Sequence, residues 1–501
     1  MQIIRTTVFL LLLISHAQAQ VNGYEETVEG IPVIHVWGSD SEMGYALGYL
    51  DGDRFHTIVN DIIIPSWGIT VWNQYRDCFT TYFTVPSRMG SMVEGMMEGI
   101  ADHPDSILYS PALGRNFDEL DMYCCHALTD ISSVLYGYSN RSCTSLSAWD
   151  SATINDPVLQ GSPALARNLD SQYHPLLAEM HCVIALDPDS GSRVVLYGQP
   201  MDLDCSTAMN EYGICVTRNA AYHDYITYYT PPFVPIGYSA LSGLIADDFD
   251  GSGENDLEDL LTALVTWNRA PSKNLHVAAP RSLGYLGEPA VVVEINNDSG
   301  YVYRMADDDP ILGPEHMAAT NHFRLLYSPD YCSRYQLLQD SISSDPDMTL
   351  QRFWDLMGCC DITGWHTYLT VLFLPETRQT GIAFCDSLQE SWAKDPVWFS
   401  WEQLFAPEGV GSPDIIGSTA ISVAPNPSAG TVSIGFAVDT PSSVRIAIYD
   451  TSGRAVRLEE TPELSQGSHS VSFHGLGSGV YFCRVEAGVS IGTGSFVVAG
   501  D

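Results

Sequence analysis

The chemistry in this sequence centres on Cys143, which stands in the run R-S-C-T-S-L-S-A-W at residues 141–149. A cysteine that follows a serine and precedes small polar residues can become the first residue of a new chain if the Ser142–Cys143 peptide is cleaved. The new α-amine would have an ordinary pKa of about 7.7–8.0, so near neutral pH it can accept the thiol proton. Cys143 would then be a nucleophile that carries its own base.

Three further motifs supply side chains that suit such a nucleophile. The run A-R-N-L-D at 166–170 holds Arg167 and Asp170, and M-N-E-Y-G-I at 209–214 holds Asn210. An amide just before a strand can donate to a developing oxyanion, which stabilises the transition state by roughly 2.7–4 kcal/mol per donor. Asn321 lies in A-T-N-H-F at 319–323, and Arg334 follows in S-R-Y at 333–335.

Together these motifs resemble the peptidase C45 group of N-terminal-nucleophile hydrolases. That group includes the acyl-coenzyme A:6-aminopenicillanate acyltransferases and is related to the choloylglycine hydrolases. The resemblance implies that Asp170 orients the Cys143 amine, that Arg167 keeps the thiolate environment positive and that Asn210 forms the oxyanion hole. It also implies that Asn321 and Arg334 lie near the nucleophile.

The resemblance predicts a self-processing hydrolase that is cut between Ser142 and Cys143. It would act on amide (N-acyl) bonds of a small-molecule or peptide-like substrate through a Cys143 acyl-enzyme, with acyl transfer to another amine as a further activity. The implied fold is α+β, a four-layer αββα arrangement, and catalysis would need no cofactor.

The local sequence predicts the elements that position these residues. Residues 31–38 indicate a strand and residues from 41 a helix, capped by Ser39 or Ser41, in which Gly44 and Gly48 permit close packing. Residues up to about 140 are typical of helices. After Cys143 the pattern changes to strands, several of them apolar throughout, as in strands that are covered on both faces.

Composition excludes several partners. The chain has 501 residues and 22 Lys+Arg against 61 Asp+Glu, a net charge of −39. Such a surface repels nucleic acid and anionic membrane. Residues 1–19 are typical of a secretory signal peptide, with Arg5, an apolar core and an A-Q-A cleavage site. No later run is long enough to span a bilayer, so we expect an exported bacterial protein, secreted or at the cell surface.

The twelve cysteines are compatible with disulfides in an exported chain, but the sequence does not give their connectivity. Without Cys143 an odd number remains, so at least one other thiol would be unpaired or would pair between chains.

An acidic run at 248–259 has the spacing of a calcium loop. Its predicted ligands are Asp248, Asp250, Ser252, Asp256 and Asp259, with glycine at the sixth position. The other interpretation of this run is an acidic turn that caps the following helix, because the first turn of a helix favours carboxylates. On the first interpretation, the ion that this loop binds is Ca²⁺.

The end of the chain has a separate organisation. Residues 401–420 are typical of a linker, and 421–501 contain short alternating strands, as in a small β-sandwich. This segment resembles the secretion-sorting and FlgD-like immunoglobulin-type domains of exported bacterial proteins, through its P-N-P, Y-D-x-x-G-R and G-V-Y motifs. The resemblance implies a type A sorting domain of the type IX system that engages the secretion machinery. The hydrolase domain is then predicted at 20–400.

Two alternatives remain open at this stage. One is another specificity on the same scaffold, such as a phospholipase B-like esterase or a bile-salt-type amidase. The other is a calcium-dependent surface binding or adhesion protein whose hydrolase site is vestigial, which the acidic loop, the tail and the acidic surface would suit.

Overall fold

The protein is described by a computed structural model. It covers residues 21–498 apart from 106, 138–140, 222–229, 271, 361–365, 406–421, 427, 429, 439–441, 451–454 and 488–489. The described residues form two compact units, the first ending at Leu404 and the second beginning at Phe405. The predicted signal peptide and most of the predicted linker lie outside the described residues.

The helices all lie in the first unit. They are α1 (Asp40–Thr57), α2 (Ile64–Trp67), α3 (Ile69–Tyr82), α4 (Ser87–Asp102), α5 (Glu119–His126), α6 (Leu128–Tyr136), α7 (Pro175–Ala178), α8 (Ile236–Ile245), α9 (Leu257–Thr266), α10 (Ser333–Ser344), α11 (Leu350–Cys359) and α12 (Trp401–Leu404).

The strands of the first unit alternate with these helices. They are β1 (Gly23–Val28), β2 (Ile31–Gly38), β3 (Tyr109–Ser110), β4 (Arg115–Asn116), β5 (Arg141–Ala148), β6 (Ala164–Ser171), β7 (Cys182–Pro188), β8 (Val194–Gly198), β9 (Thr207–Asn210), β10 (Cys215–Ala220), β11 (Lys273–Ala278), β12 (Ala290–Asn296), β13 (Gly300–Arg304), β14 (His316–Ala319), β15 (His366–Leu374), β16 (Gln379–Phe384) and β17 (Val397–Phe399).

Two large sheets organise the first unit. The nine-stranded sheet has the order β1-β2-β7-β8-β9-β10-β11-β12-β13, and the six-stranded sheet has the order β14-β5-β6-β15-β16-β17. Within the nine-stranded sheet only β2 and β7 pair in parallel. The strand that carries Cys143, β5, is therefore interior, between β14 and β6.

The two sheets face each other through side chains that alternate along the strands. Tyr197 on β8 donates to Thr380 on β16 at 2.9 Å, and Asn219 on β10 donates to Ser145 on β5 at 3.1 Å. Their outer faces are covered by helices: α1, α4, α8 and α9 share a core with the nine-stranded sheet. Helices α10 and α11 share another with the six-stranded sheet. The mixture of helices and sheets confirms the α+β class.

The first helix begins where the sequence predicts. Ser39 caps α1: its Oγ accepts from the Glu42 N–H at 3.4 Å, and Glu42 accepts from the Ser39 N–H at 2.9 Å. This reciprocal capping box satisfies two of the N–H groups that have no partner inside the helix.

Glycines let α1 and α4 approach backbone to backbone. A Cβ on Gly44 would lie 2.0 Å from the Met92 carbonyl oxygen, and one on Gly95 would lie 2.1 Å from the Ser41 carbonyl oxygen. The pair Gly44 and Gly48 therefore serves helix packing, and the methionines of α4 are core residues.

The second unit is all β in its described part. Its strands are β18 (Ser422–Ala424), β19 (Thr431–Val438), β20 (Ser442–Asp450), β21 (Ala455–Leu464), β22 (Gly467–His474), β23 (Gly479–Ala487) and β24 (Ser490–Val498). They form a three-stranded sheet, β18-β19-β22, and a four-stranded sheet, β21-β20-β23-β24. Both sheets contribute to one hydrophobic core, with Ile434 and Ile446 as members.

The helix contact gives a direct test of packing. Gly44→Ala should lower the unfolding free energy by about 2 kcal/mol, because the methyl group overpacks the contact with Met92. Gly90 lies on α4, and a Cβ added there would have its nearest neighbour 4.0 Å away. Gly90→Ala should therefore raise the unfolding free energy by about 0.5 kcal/mol, because alanine lowers the conformational entropy of the unfolded chain. Chemical denaturation of both variants in a Cys143→Ala background checks this, and equal effects would contradict it.

Candidate active site

The Ser142–Cys143 peptide is buried and held by hydrogen bonds from two sides. Cys143 lies on the β5 face toward the nine-stranded sheet, and only 1% of its surface is exposed. Its N–H donates to Asn321 Oδ1 at 3.1 Å, and Ser142 Oγ donates to the same oxygen at 2.8 Å. Cys143, like the other cysteines in the described part of the chain, forms no disulfide.

Arg334 contacts the Cys143 carbonyl group and the hydroxyl groups of the residues on both sides of Cys143. Its Nη1 donates to the Cys143 carbonyl oxygen and, at 2.6 Å, to Thr144 Oγ1. Its Nη2 donates to Ser142 Oγ at 2.9 Å and to Asn321 Oδ1 at 2.5 Å. The helix that supplies Arg334, α10, starts at Ser333, so this side chain projects from its first turn. The Ser142–Cys143 segment is thereby fixed in one orientation.

Arg167 approaches the thiol itself. Its Nη2 lies 3.4 Å from Cys143 Sγ and donates to the Arg218 carbonyl oxygen at 2.7 Å, while its Nη1 donates to Thr207 Oγ1. The position follows from strand register, because Arg167 lies opposite Ser145 on the neighbouring strand β6 and on the same face as Cys143. The guanidinium thus places a positive charge beside the sulfur.

Asp170 lies opposite Ser142 in the pairing of β5 with β6. Directly paired residues of antiparallel strands have Cβ atoms about 4.5–5.5 Å apart, so this carboxylate flanks the bond that is predicted to break. Its Oδ1 accepts a hydrogen bond from Thr367 Oγ1 at 2.8 Å. The structure thus brings together Cys143, Arg167, Asn321 and Arg334 by direct contact and Asp170 by register.

Asn210 is the exception among the predicted catalytic residues. Its Oδ1 accepts from the Tyr212 and Ile214 N–H groups at 3.1 and 3.0 Å, and its Nδ2 donates to the Leu244 carbonyl oxygen at 3.2 Å. The amide closes the turn that follows β9 and is committed to backbone groups there. The prediction that it points toward the nucleophile is therefore corrected: Asn210 is a turn residue.

Another asparagine, Asn219, is near Cys143 but was not among the residues predicted from the sequence. It stands on β10 between Arg218 and Ala220, whose carbonyl oxygens accept from Arg167 and Asn321. Its Nδ2 donates to Ser145 Oγ and to the Ala319 carbonyl oxygen, at 3.1 and 2.9 Å. The signal that could have revealed it is the polar run Thr217-Arg218-Asn219 between apolar residues of one strand, since buried polar side chains need specific partners.

A buried histidine extends this polar layer along β5. His276 on β11 contacts Ser147 Oγ through Nε2 at 2.8 Å and Ser145 Oγ through Nδ1 at 3.0 Å. Burial, with a smaller contribution from Arg304, lowers the pKa of His276 to about 3, so the ring is neutral at ordinary pH. Neutral imidazole donates through one nitrogen and accepts through the other, which suits two hydroxyl partners.

The acidic loop brings together three of its five predicted ligands. Oxygens of Asp248, Asp250 and Asp259 lie within 4.8 Å of one another. Asp256 instead caps α9 by accepting from the Glu258 N–H at 2.8 Å. Ser252 Oγ donates to the Glu254 carbonyl oxygen at 3.5 Å. Asp259 accepts from the Asp250 and Asp256 N–H groups, both at 3.1 Å, so helix capping also accounts for this carboxylate. Calcium binding stays a prediction.

Comparison with known proteins identifies the second unit. Residues 422–499 match the family model of the secretion system C-terminal sorting domain. The chain is therefore an exported protein, secreted or placed at the cell surface, and its tail engages the secretion machinery, as predicted. Within the described residues, no helix is both long and apolar enough to cross a membrane.

Comparisons of the rest of the chain are weaker. No curated protein sequence matches it. The Caenorhabditis elegans N-acylethanolamine-hydrolyzing acid amidase ortholog matches at 15% identity and a TM-score of 0.34, over 46% of this chain and 93% of that one. A variant of the Clostridium perfringens conjugated bile acid hydrolase matches at 10% identity and a TM-score of 0.22, over 52% and 89%. Both TM-scores are below 0.5, so neither match establishes a common fold.

The neutral His276 predicts an acid-dependent loss of stability. The unfolded histidine binds a proton near its ordinary pKa of about 6.5, whereas the folded one does so only near 3. Its contribution is therefore lost progressively as pH falls below about 6.5. Between pH 6.5 and 5, wild type should lose on the order of 2 kcal/mol more unfolding free energy than His276→Gln. His56→Gln, at a partly exposed position, is the control. Equal acid sensitivity of wild type and His276→Gln would contradict the prediction.

The acidic loop gives a second prediction. If it binds calcium, millimolar Ca²⁺ should raise the melting temperature over that in chelator, because binding to the folded state alone adds stability. Asp248→Asn should remove the shift, and Asp307→Asn, which changes a carboxylate elsewhere, should keep it. An unchanged melting temperature in wild type would leave the loop as a helix cap.

Proposed function

We propose that this protein is an exported, self-processing hydrolase of amide bonds in which Cys143 becomes an N-terminal nucleophile. The observation that carries the proposal is the convergence of Asn321, Arg334 and Arg167 on one buried peptide and its thiol. The four-layer αββα fold of N-terminal-nucleophile hydrolases is part of the proposal, and two facing sheets with helices on their outer faces support it.

Self-cleavage begins with attack of the Cys143 thiol on the Ser142 carbonyl carbon. The C–N bond breaks, the Cys143 nitrogen becomes an amine, and Ser142 is held as a thioester. Water then hydrolyses the thioester, which gives a Ser142 carboxylate and a free thiol. Arg334 and Asn321 contribute by fixing the peptide, which turns the attack into an intramolecular reaction of defined geometry.

In the mature enzyme the Cys143 amine takes the thiol proton, and the thiolate attacks the substrate carbonyl. The departing amine takes the proton back from the Cys143 ammonium, which leaves an acyl-enzyme that water hydrolyses. Arg167 places a positive charge beside the thiolate. Asp170 lies opposite Ser142, next to the new N-terminus at Cys143, and its negative charge stabilises the Cys143 ammonium. With another amine in place of water, the same intermediate would give acyl transfer.

For the oxyanion we propose Asn219 in place of Asn210. Asn219 lies between the two β10 carbonyl groups that Arg167 and Asn321 contact, so its amide is held by the same strand that holds those two side chains. One of its hydrogen bonds goes to Ser145 Oγ, a hydroxyl that His276 also contacts. If the Asn219 amide exchanged its hydrogen bond to Ser145 Oγ for one to the substrate oxyanion, it would donate to that oxyanion without a change in the backbone.

Intact mass of the purified exported protein tests the proposal. Wild type should give two fragments, one that ends at Ser142 and one that begins at Cys143. Cys143→Ala should give one chain, because the attacking thiol is absent. Cys359→Ala, which removes an exposed cysteine, should be cleaved like wild type.

The cleaved form is then assayed on matched panels of amide and ester substrates. Hydrolysis of N-acyl amides by the cleaved form, and its loss by at least a hundredfold in Cys143→Ala, would support the amidase. Faster turnover of the matched esters would favour the phospholipase B-like alternative. An uncut wild-type chain that melts higher in calcium would overturn the hydrolase in favour of the binding protein.

A further inference from the structure

A cavity of about 500 Å³ lies among the helices of the first unit. Its volume falls in the range of about 300–1,000 Å³ that is usual for pockets that bind small molecules. Residues from both sides of the Ser142–Cys143 bond line it: Phe55, Ile62 and Tyr136 come before the bond, and Ser171 and Asp202 come after it. Both fragments of a cleaved chain would therefore shape this cavity.

The cavity lies beside the start of the nucleophile strand. Ser171, in its wall, is the β6 residue that pairs with Arg141, the first residue of β5. Tyr136, also in its wall, ends α6 six residues before Ser142, and six residues span at most about 20 Å. Tyr136 thus lies in the cavity wall, and Arg141 is paired with another residue of that wall.

The position of the cavity relative to the Ser142–Cys143 bond indicates where the acyl part of a substrate would lie. In self-cleavage the thiol attacks a carbonyl whose acyl part is the chain before Cys143. In turnover the thiol attacks a substrate carbonyl in the same position, so the substrate's acyl part should take the side that the preceding chain occupied. The cavity is on that side, and it is the space that an acyl group could fill.

The lining of the cavity mixes apolar and polar side chains. Its apolar members include Ile58, Ile62, Ile63 and Val71. Its polar members include Ser66, Thr129, Gln199 and Asp202. A ligand that matches this lining is largely apolar and carries neutral hydrogen-bonding groups.

The charged residues that line the cavity limit the acyl groups that it can bind. Asp204 and the half-buried Asp202 both line the cavity. Asp204 is paired with Arg218, and Asp202 Oδ1 accepts from the Asp204 N–H at 2.8 Å. Among the described residues that line the cavity, none is a lysine or an arginine. An acyl group that ends in a carboxylate would meet two carboxylates on this lining, which disfavours its binding.

We propose that this cavity is the acyl-binding site and that it takes an uncharged, amphiphilic acyl group, such as a medium-length hydroxyacyl chain. The site discriminates against acyl groups that end in a carboxylate. The inference rests on the proposed function, because it assigns the substrate of the same Cys143 site. Ile62 sets the length of the acyl group and Asp202 sets its charge.

The test uses the exported full chain and anilides that share one leaving group, with acetyl, decanoyl, hydroxydecanoyl and carboxynonanoyl as acyl parts. Wild type should prefer the decanoyl and hydroxydecanoyl substrates over acetyl in kcat/KM, and should turn over the carboxynonanoyl substrate least among the ten-carbon chains. Ile62→Trp should lower the decanoyl-to-acetyl ratio at least tenfold, because the indole fills the cavity. Ile69→Trp, at a position on α3 that is 45% exposed and outside the cavity, should keep the ratio.

The charge variant gives a second readout that does not depend on filling the cavity. Asp202→Asn should raise the ratio of carboxynonanoyl to decanoyl turnover at least fivefold, since it removes the repulsion and changes the shape little. Self-cleavage is measured first in every variant. Normal self-cleavage with unchanged ratios in both Ile62→Trp and Asp202→Asn would overturn the acyl site and leave the hydrolase intact. Absence of self-cleavage in wild type would overturn both.

Discussion

The Asn321 side chain joins the two sheets at the nucleophile, and the geometry of the site depends on this link. Its Oδ1 accepts from the Cys143 N–H on β5, and its Nδ2 donates to the Ala220 carbonyl oxygen on β10. Both bonds are buried, so the loss of either would leave a polar backbone group without a partner in a medium where that is costly. The spacing between the sheets and the position of the thiol are therefore set by the same amide.

Arg167 makes a second link of the same kind a few ångströms away. Its guanidinium starts from β6 and contacts Cys143 on β5, Thr207 on β9 and the Arg218 carbonyl oxygen on β10. Burying a charge is tolerated only where hydrogen bonds replace water, and the planar group donates in several fixed directions. A lysine at this position would not reproduce that pattern, so the residue type follows from the packing as well as from the chemistry of sulfur.

Several parts of this arrangement could be predicted from the sequence because they are local. The strand at 31–38, the cap at Ser39 and the helix at 257–266 have their signals within a few residues. The start of β6 at Ala164 follows a turn in which Gln160 and Gly161 have positive φ. The pairing of β5 between β14 and β6 is not local, and nothing near Cys143 announces it.

Asn210 and Asn219 show where sequence analysis reaches its limit. Both precede or end short strands, and both are buried, so residue type and neighbourhood favour them about equally. What separates them is the strand that each faces: Asn210 turns back on its own loop, whereas Asn219 crosses to Ser145 on β5. That difference depends on sheet order, which a motif of four residues does not contain.

Asn321 Oδ1 is more crowded in the uncut chain than it would be after the proposed cleavage. Three donors converge on this oxygen, from Cys143, Ser142 and Arg334, although a carbonyl oxygen has two lone pairs. On the proposed cleavage, Ser142 becomes the end of the other fragment and its hydroxyl can leave, while the Cys143 nitrogen and Arg334 stay. The crowded acceptor then has two donors, which matches its capacity. The relief of this crowded acceptor is local to the bond that is proposed to break.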